Sequence, residues 1–127
     1  MEIKSAESDT NLRFSDIQGD YFLASLAGHN FSATVRVWAY TDPHGLDNLF
    51  QTMATSWRGW DGEKKWSSIE GEFAISCTHD KLGHIMFDIE MKQDFGTPET
   101  WHLKVHIVVE AGQLEAIAKE AKKFFRS

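Results

Sequence analysis

Residues 31–40 read FSATVRVWAY. Phe31, Ala33, Val35, Val37 and Ala39 alternate with Ser32, Thr34, Arg36, Trp38 and Tyr40, the two-residue period of a strand with one buried face. One face is wholly apolar. The other is polar apart from two large rings, Trp38 and Tyr40. A strand apolar on one side only belongs to an antiparallel sheet that is covered on one face.

Downstream, TDPHG (41–45) breaks the strand. Leu46, Leu49, Phe50, Met53, Ala54 and Trp57 then recur at helical spacing, which predicts an amphipathic helix of about three turns. Gly59 follows the last periodic residue and reads as its C-terminal cap. Next comes SWRGWDGEKKW (56–66), which holds three of the five tryptophans. The helical period assigns Trp57 to the core, leaving Trp60 and Trp66 on either side of a solvated turn, DGEKK. Those two rings either seal a structural corner, each burying roughly 150–250 Å², or form a stacking platform for a sugar or peptide.

Three more one-sided strands follow. Phe73, Ile75 and Cys77 share a face, as do Ile85, Phe87, Ile89 and Met91, and then Trp101, Leu103, Val105, Ile107 and Val109. DKLG (80–83) and DFGTP (94–98) are the turns between them. The second hairpin favours a register that sets Ile89 against Leu103 and Phe87 against Val105. On the outer face this places Glu90 opposite His102 and Asp88 opposite Lys104. Residues 110–125, EAGQLEAIAKEAKKFF, form a closing helix with Leu114, Ile117, Ala118, Ala121, Phe124 and Phe125 inward. Its terminal Lys122, Lys123 and Arg126 suit the helix dipole.

Upstream, Tyr21–Ala27 is a strand, set off by the turns QGD (18–20) and AGHN (27–30). The first ten residues are polar and are expected to be ragged, apart from a candidate short strand around Ile3. Together these elements predict an α+β two-layer sandwich: an antiparallel sheet of five or six strands with two helices packed on one face, in strands–helix–strands–helix order. At 127 residues and 14.5 kDa the chain fits a single domain spanning residues 1–127.

Composition narrows the function classes. The 13 Lys and Arg against 19 Asp and Glu give a net charge of −6, which argues against a nucleic-acid or anionic-membrane binder. One cysteine, Cys77, rules out an internal disulfide and suits a reducing compartment. The N-terminus has no apolar core of a signal peptide, and no apolar run approaches the ~20 residues of a membrane helix. A cytoplasmic protein is the expectation.

Six histidines invite a search for metal or acid–base chemistry. HLKVH (102–106) has the spacing of a helical metal pair. On a strand, however, residues four apart stand roughly 13 Å apart, too far to share one ion. HDKLGH (79–84) is more open: a tight turn bringing His79, Asp80 and His84 together suits general acid–base work or zinc, and equally suits a plain hairpin with polar shoulders. Cys77 falls on an apolar face and reads as a packed thiol. No P-loop, G-x-G-x-x-G, C-x-x-C or serine elbow occurs, so no catalytic residue, metal or cofactor is assigned.

Two surfaces remain as binding candidates. The outer sheet face should present Arg36, Trp38 and Tyr40 with His102, Lys104 and His106, a mixture of aromatic and basic groups typical of protein interfaces. The bland account of that face is cover from the N-terminal segment. The second candidate is a ligand site built from Trp60, Trp66, His79 and His84.

Trp57, Gly59, Trp60, Gly62 and Trp66, followed by Gly83–His84 and then Glu110–Gly112, carry a resemblance that spans Leu46 to Phe125. In these W-x-G-W-x-G…W, G-H and E-A-G elements the chain resembles an uncharacterised bacterial domain-of-unknown-function family. The resemblance implies a small stand-alone bacterial cytosolic protein and no assigned activity or site. By analogy with small acidic α+β domains, the leading expectation is a non-enzymatic interaction module, either a homodimer or an immunity- or antitoxin-like binder of a basic protein. The alternative is a small-ligand binder or minor enzyme using the His79/His84 turn and the Trp60/Trp66 loop.

Overall fold

A computed structural model describes residues 1–93, 96 and 98–126. In chain order these form β1 (Glu2–Lys4), β2 (Asn11–Gln18), β3 (Tyr21–Ala27), β4 (Ser32–Trp38), α1 (Gly45–Thr55), β5 (Glu63–Ser67), β6 (Phe73–His79), β7 (His84–Gln93), β8 (Trp101–Glu110) and α2 (Leu114–Phe125). A 3₁₀ turn, Ala111–Gln113, leads into α2.

The fold is α+β, but the single sheet of five or six strands is replaced by two four-stranded antiparallel sheets, ordered β1-β2-β3-β4 and β5-β6-β7-β8. Two strands hid from the sequence pattern. β2 keeps Leu12 and Phe14 inward, but a register irregularity between Ser15 and Gln18, with Asp16 at φ +53°, breaks its alternation. β5 is EKKWS, in which only Trp66 is buried, so it reads as a solvated turn although all five residues pair with β6.

The two sheets and both helices share one core. Phe14 of β2 is its hub. Its ring meets Phe22 of β3 and Phe73 of β6 edge-on, each with centroids 5.7 Å away, and Phe50 of α1 and Phe125 of α2 at 6.3 and 5.8 Å. Such pairs add about 0.5–1.5 kcal/mol each beyond the area they bury. The helices are also tied to each other: buried Asp47 of α1 binds Arg126 and accepts a hydrogen bond from Gln51, whose amide also donates to the Ala118 carbonyl of α2.

The sheets touch at two seams. At one, the Ala6 amide donates to the Val108 carbonyl of β8 at 2.7 Å. The N-terminal segment is thereby held in place, with Ile3 buried, and Glu2–Lys4 add an edge strand to the first sheet beside β2, at the opposite edge from β4. At the other seam, the backbone amide of Trp38 donates to the carboxylate of Glu72, a buried residue between β5 and β6.

Two details of the sequence reading change. First, α1 ends at Thr55, and Ser56 closes it by donating its amide to the Thr52 and Met53 carbonyls. Gly59 is therefore not the cap, and Trp57 lies beyond the helix, half exposed. Second, the β7–β8 register is shifted by two residues: Ile89 faces Val105, Phe87 faces Ile107 and Glu90 faces Lys104. A two-residue shift keeps every side chain on its own face, so the hydrophobic pattern could not tell the two registers apart. The turn expected at DFGTP falls partly on residues 94, 95 and 97, which lie outside the described residues.

Candidate functional site

The tryptophan corner turns inward. Trp60 and Trp66 are 9% and 8% exposed. The Trp60 indole donates to the Cys77 carbonyl at 3.1 Å, and the Trp66 indole donates to the Asp42 carboxylate at 3.2 Å. A buried indole needs such a partner for its N–H, and both have one. Gly45 makes room for the second bond, since a Cβ there would collide with Trp66 and Asp42. Of the two readings left open for Trp60 and Trp66, the packed corner matches their burial, whereas Trp57, assigned to the core, is 52% exposed. The cause is the helix end at Thr55, which stops the period before it reaches Trp57.

His79 is equally committed. Its Nδ1 accepts from the Lys81 backbone amide at 2.8 Å, which fixes that nitrogen as unprotonated; Nε2 therefore carries hydrogen and donates to the Trp57 carbonyl at 2.9 Å. The ring also packs edge-on against Trp60 at 5.0 Å. His84 lies across the turn, its Nδ1 2.8 Å from Asp80 Oδ2, while Asp80 Oδ1 accepts from the Leu82 and His84 amides. Those bonds, the His84 amide foremost, hold the Asp80 carboxyl below its ordinary value of 3.8. So the structure gathers Trp60, His79 and His84 around one corner, with two of the three occupied in holding it together. Burial pushes the Cys77 thiol well above its usual range, with Asp88 adding to the effect, and a protonated thiol is a poor nucleophile.

The outer face of β5–β8 carries rows of charge. His102 Nε2 lies 2.8 Å from Glu90, and His106 contacts Asp88. A shallow groove runs across this face over the small side chains Ala74 and Ser76, bordered by Lys65, Asp88, Glu90 and Lys104. The Glu63 carboxyl is held below its ordinary value, first by the Ser76 hydroxyl and then by Lys65. Acids and bases here mostly satisfy one another. Among the described residues, no group of three or more His, Cys, Asp or Glu is placed to hold a metal ion.

The outer face of β3–β4 differs in kind. Tyr21 and Trp38 are register partners, and their rings stack at 6.4 Å with an interplanar angle of 19°. Trp38 stacks in turn on Tyr40, two residues further on, at 5.6 Å and 21°. The Arg36 guanidinium lies over Tyr21, 4.4 Å from the ring centre. Four side chains therefore form one column, Arg36–Tyr21–Trp38–Tyr40, on the side of the sheet away from the core. Tyr21 is 38% exposed and Tyr40 62%.

Arg36, Trp38 and Tyr40 thus gather as the sequence suggested, but His102, Lys104 and His106 stand on the other sheet, so the six do not share one sheet face. Tyr21 was missed because it opens its strand and its partner is set by pairing. The available signal was its position: it sits out of phase with Phe22, Ala24 and Leu26, which are buried.

Residues 3–127 match the model of a family described as Family of unknown function (DUF6228), and the chain belongs to that family. No curated protein matches the chain. No helix among the described residues is long and apolar enough to cross a membrane.

Proposed function

We propose that this member of a family of unknown function is a non-enzymatic interaction module that docks a protein partner on the outer face of β3 and β4. The observation that carries this reading is the exposed column of Tyr21, Trp38 and Tyr40. Aromatic rings ordered against one another lose little further entropy on binding, and Trp, Tyr and Arg dominate the energetics of protein interfaces. The ring steps of 6.4 and 5.6 Å are close to the roughly 6.6 Å between alternate side chains of an extended chain.

A ligand or enzymatic role for Trp60, Trp66, His79 and His84 finds less support. Both indole N–H groups and both His79 ring nitrogens are already engaged within the chain. The reading includes a bacterial, cytoplasmic setting, supported by the lone buried cysteine and by the sequence resemblance. An immunity- or antitoxin-like role is one form of it. Self-association through the same face is the other.

The test is selection of a displayed random peptide library on the wild type and on the Trp38→Ala and Tyr40→Ala variants, with sedimentation velocity across a dilution series. Docking on this face predicts enriched peptides that both substitutions lose, or a dimer that both dissociate. Failure to enrich anything from a monomeric protein, or equal enrichment on the variants, overturns it.

A further inference from the structure

The aromatic column has two ends, and they are not equivalent. Arg36 closes the Tyr21 end, 4.4 Å from the ring centre. The other end is Tyr40, the most exposed of the three rings. Cations stand over other rings of this chain too: Arg58 over Trp57 at 5.1 Å and Lys64 over Trp60 at 5.5 Å. Among the described residues none stands over Tyr40. Carboxylates flank this open end in the chain. Asp42 follows two residues later; its amide donates to the Ala39 carbonyl, folding that turn back, and its carboxylate accepts from the Trp66 indole. The Ala39 amide donates to the Asp20 carbonyl at 2.8 Å, which brings the exposed Asp20 alongside. The chain as a whole carries −6.

We infer that the Tyr40 end of the column receives an arginine or lysine side chain of the partner, so that the partner presents a basic segment. This deepens the docking reading above and rests on it. A cation arriving there stacks on the ring face as Arg36 does at the far end, and the exposed Asp20 and the chain's net charge of −6 favour its approach. A cation over an aromatic face contributes about 0.5–1 kcal/mol when exposed and about 2 when water is excluded. Charge complementarity of this kind sets partner choice and on-rate more than total affinity.

The test uses fluorescently labelled peptides of equal length: an arginine-rich one, the same peptide with every arginine replaced by citrulline, and a glutamate-rich one. Citrulline keeps the planar shape and removes the charge. The full chain should bind the arginine peptide about ten-fold or more tighter than the citrulline form. Tyr40→Leu should weaken the arginine peptide by about five-fold with little change for the citrulline peptide, and Tyr40→Phe should restore it. Equal binding of the arginine and citrulline peptides, both lost with Trp38→Ala, overturns the basic partner and leaves the docking face standing. So does a preference for the glutamate peptide. Arginine-peptide binding that neither Tyr40→Leu nor Trp38→Ala changes removes both readings at once. Unchanged circular dichroism of each variant ties the losses to the surface.

Discussion

The chain concentrates aromatic rings in two places and treats them in opposite ways. At the corner between α1 and β6, Trp60 and Trp66 turn their N–H groups toward acceptors inside the protein and disappear from the surface. On the face of β3–β4, Tyr21, Trp38 and Tyr40 stack on one another outside. Local sequence richness in tryptophan is thus no guide to which rings stay exposed. What separates the two is whether the fold supplies an acceptor for the ring's N–H, a carbonyl for Trp60 and a carboxylate for Trp66, and whether the local backbone points the ring into the core.

That contrast can be broken from either side. The largest effect is expected at the corner. Trp60→Ala removes a buried ring and its bond to the Cys77 carbonyl, and should cost about 3–5 kcal/mol of stability by urea unfolding; a loss below about 1 kcal/mol would mean the corner is not structural. Gly45→Ala should cost about 1–3 kcal/mol, because the added methyl meets Trp66 and Asp42. Its mark besides stability is a change in tryptophan fluorescence as the Trp66 ring is displaced.

On the outer face the expectation reverses. Tyr40→Ala should shift the unfolding free energy by no more than about 0.5 kcal/mol, although the same substitution is the one expected to abolish peptide enrichment. A large destabilisation would return Tyr40 to the structural class. The smallest effect concerns the turn at Asp80. Its carboxyl is held below 3.8 by bonds to its ionised form. The stabilisation this gives is present above pH 3.8 and fades as pH falls through the lower folded value. In an acid titration, Asp80→Asn should differ from the wild type above that range and converge with it below.

Much of the architecture was legible because it is periodic. β3, β4 and α2 could be read from spacing alone, since each presents an uninterrupted apolar face. β2 and β5 could not. A bulge breaks the first, and the second shows one buried residue among polar ones. The split into two sheets is a matter of which edges meet, and no local pattern encodes that. At the candidate site, the alternation pointed Arg36, Trp38 and Tyr40 outward, while Tyr21 joined them only through pairing. Only Trp57 at the tryptophan corner goes against its spacing, for a local reason: the helical period carries it two residues past the real end of α1.

β4 is the outermost strand of its sheet, and strands in that position tend to recruit further strands by offering unpaired amides. At Trp38 that amide is already taken by the buried Glu72 carboxylate. A partner docked as proposed cannot lengthen the sheet through this amide, which leaves the rings as its contacts at this point. The same bond removes one donor that edge-to-edge pairing of two copies of the chain would use.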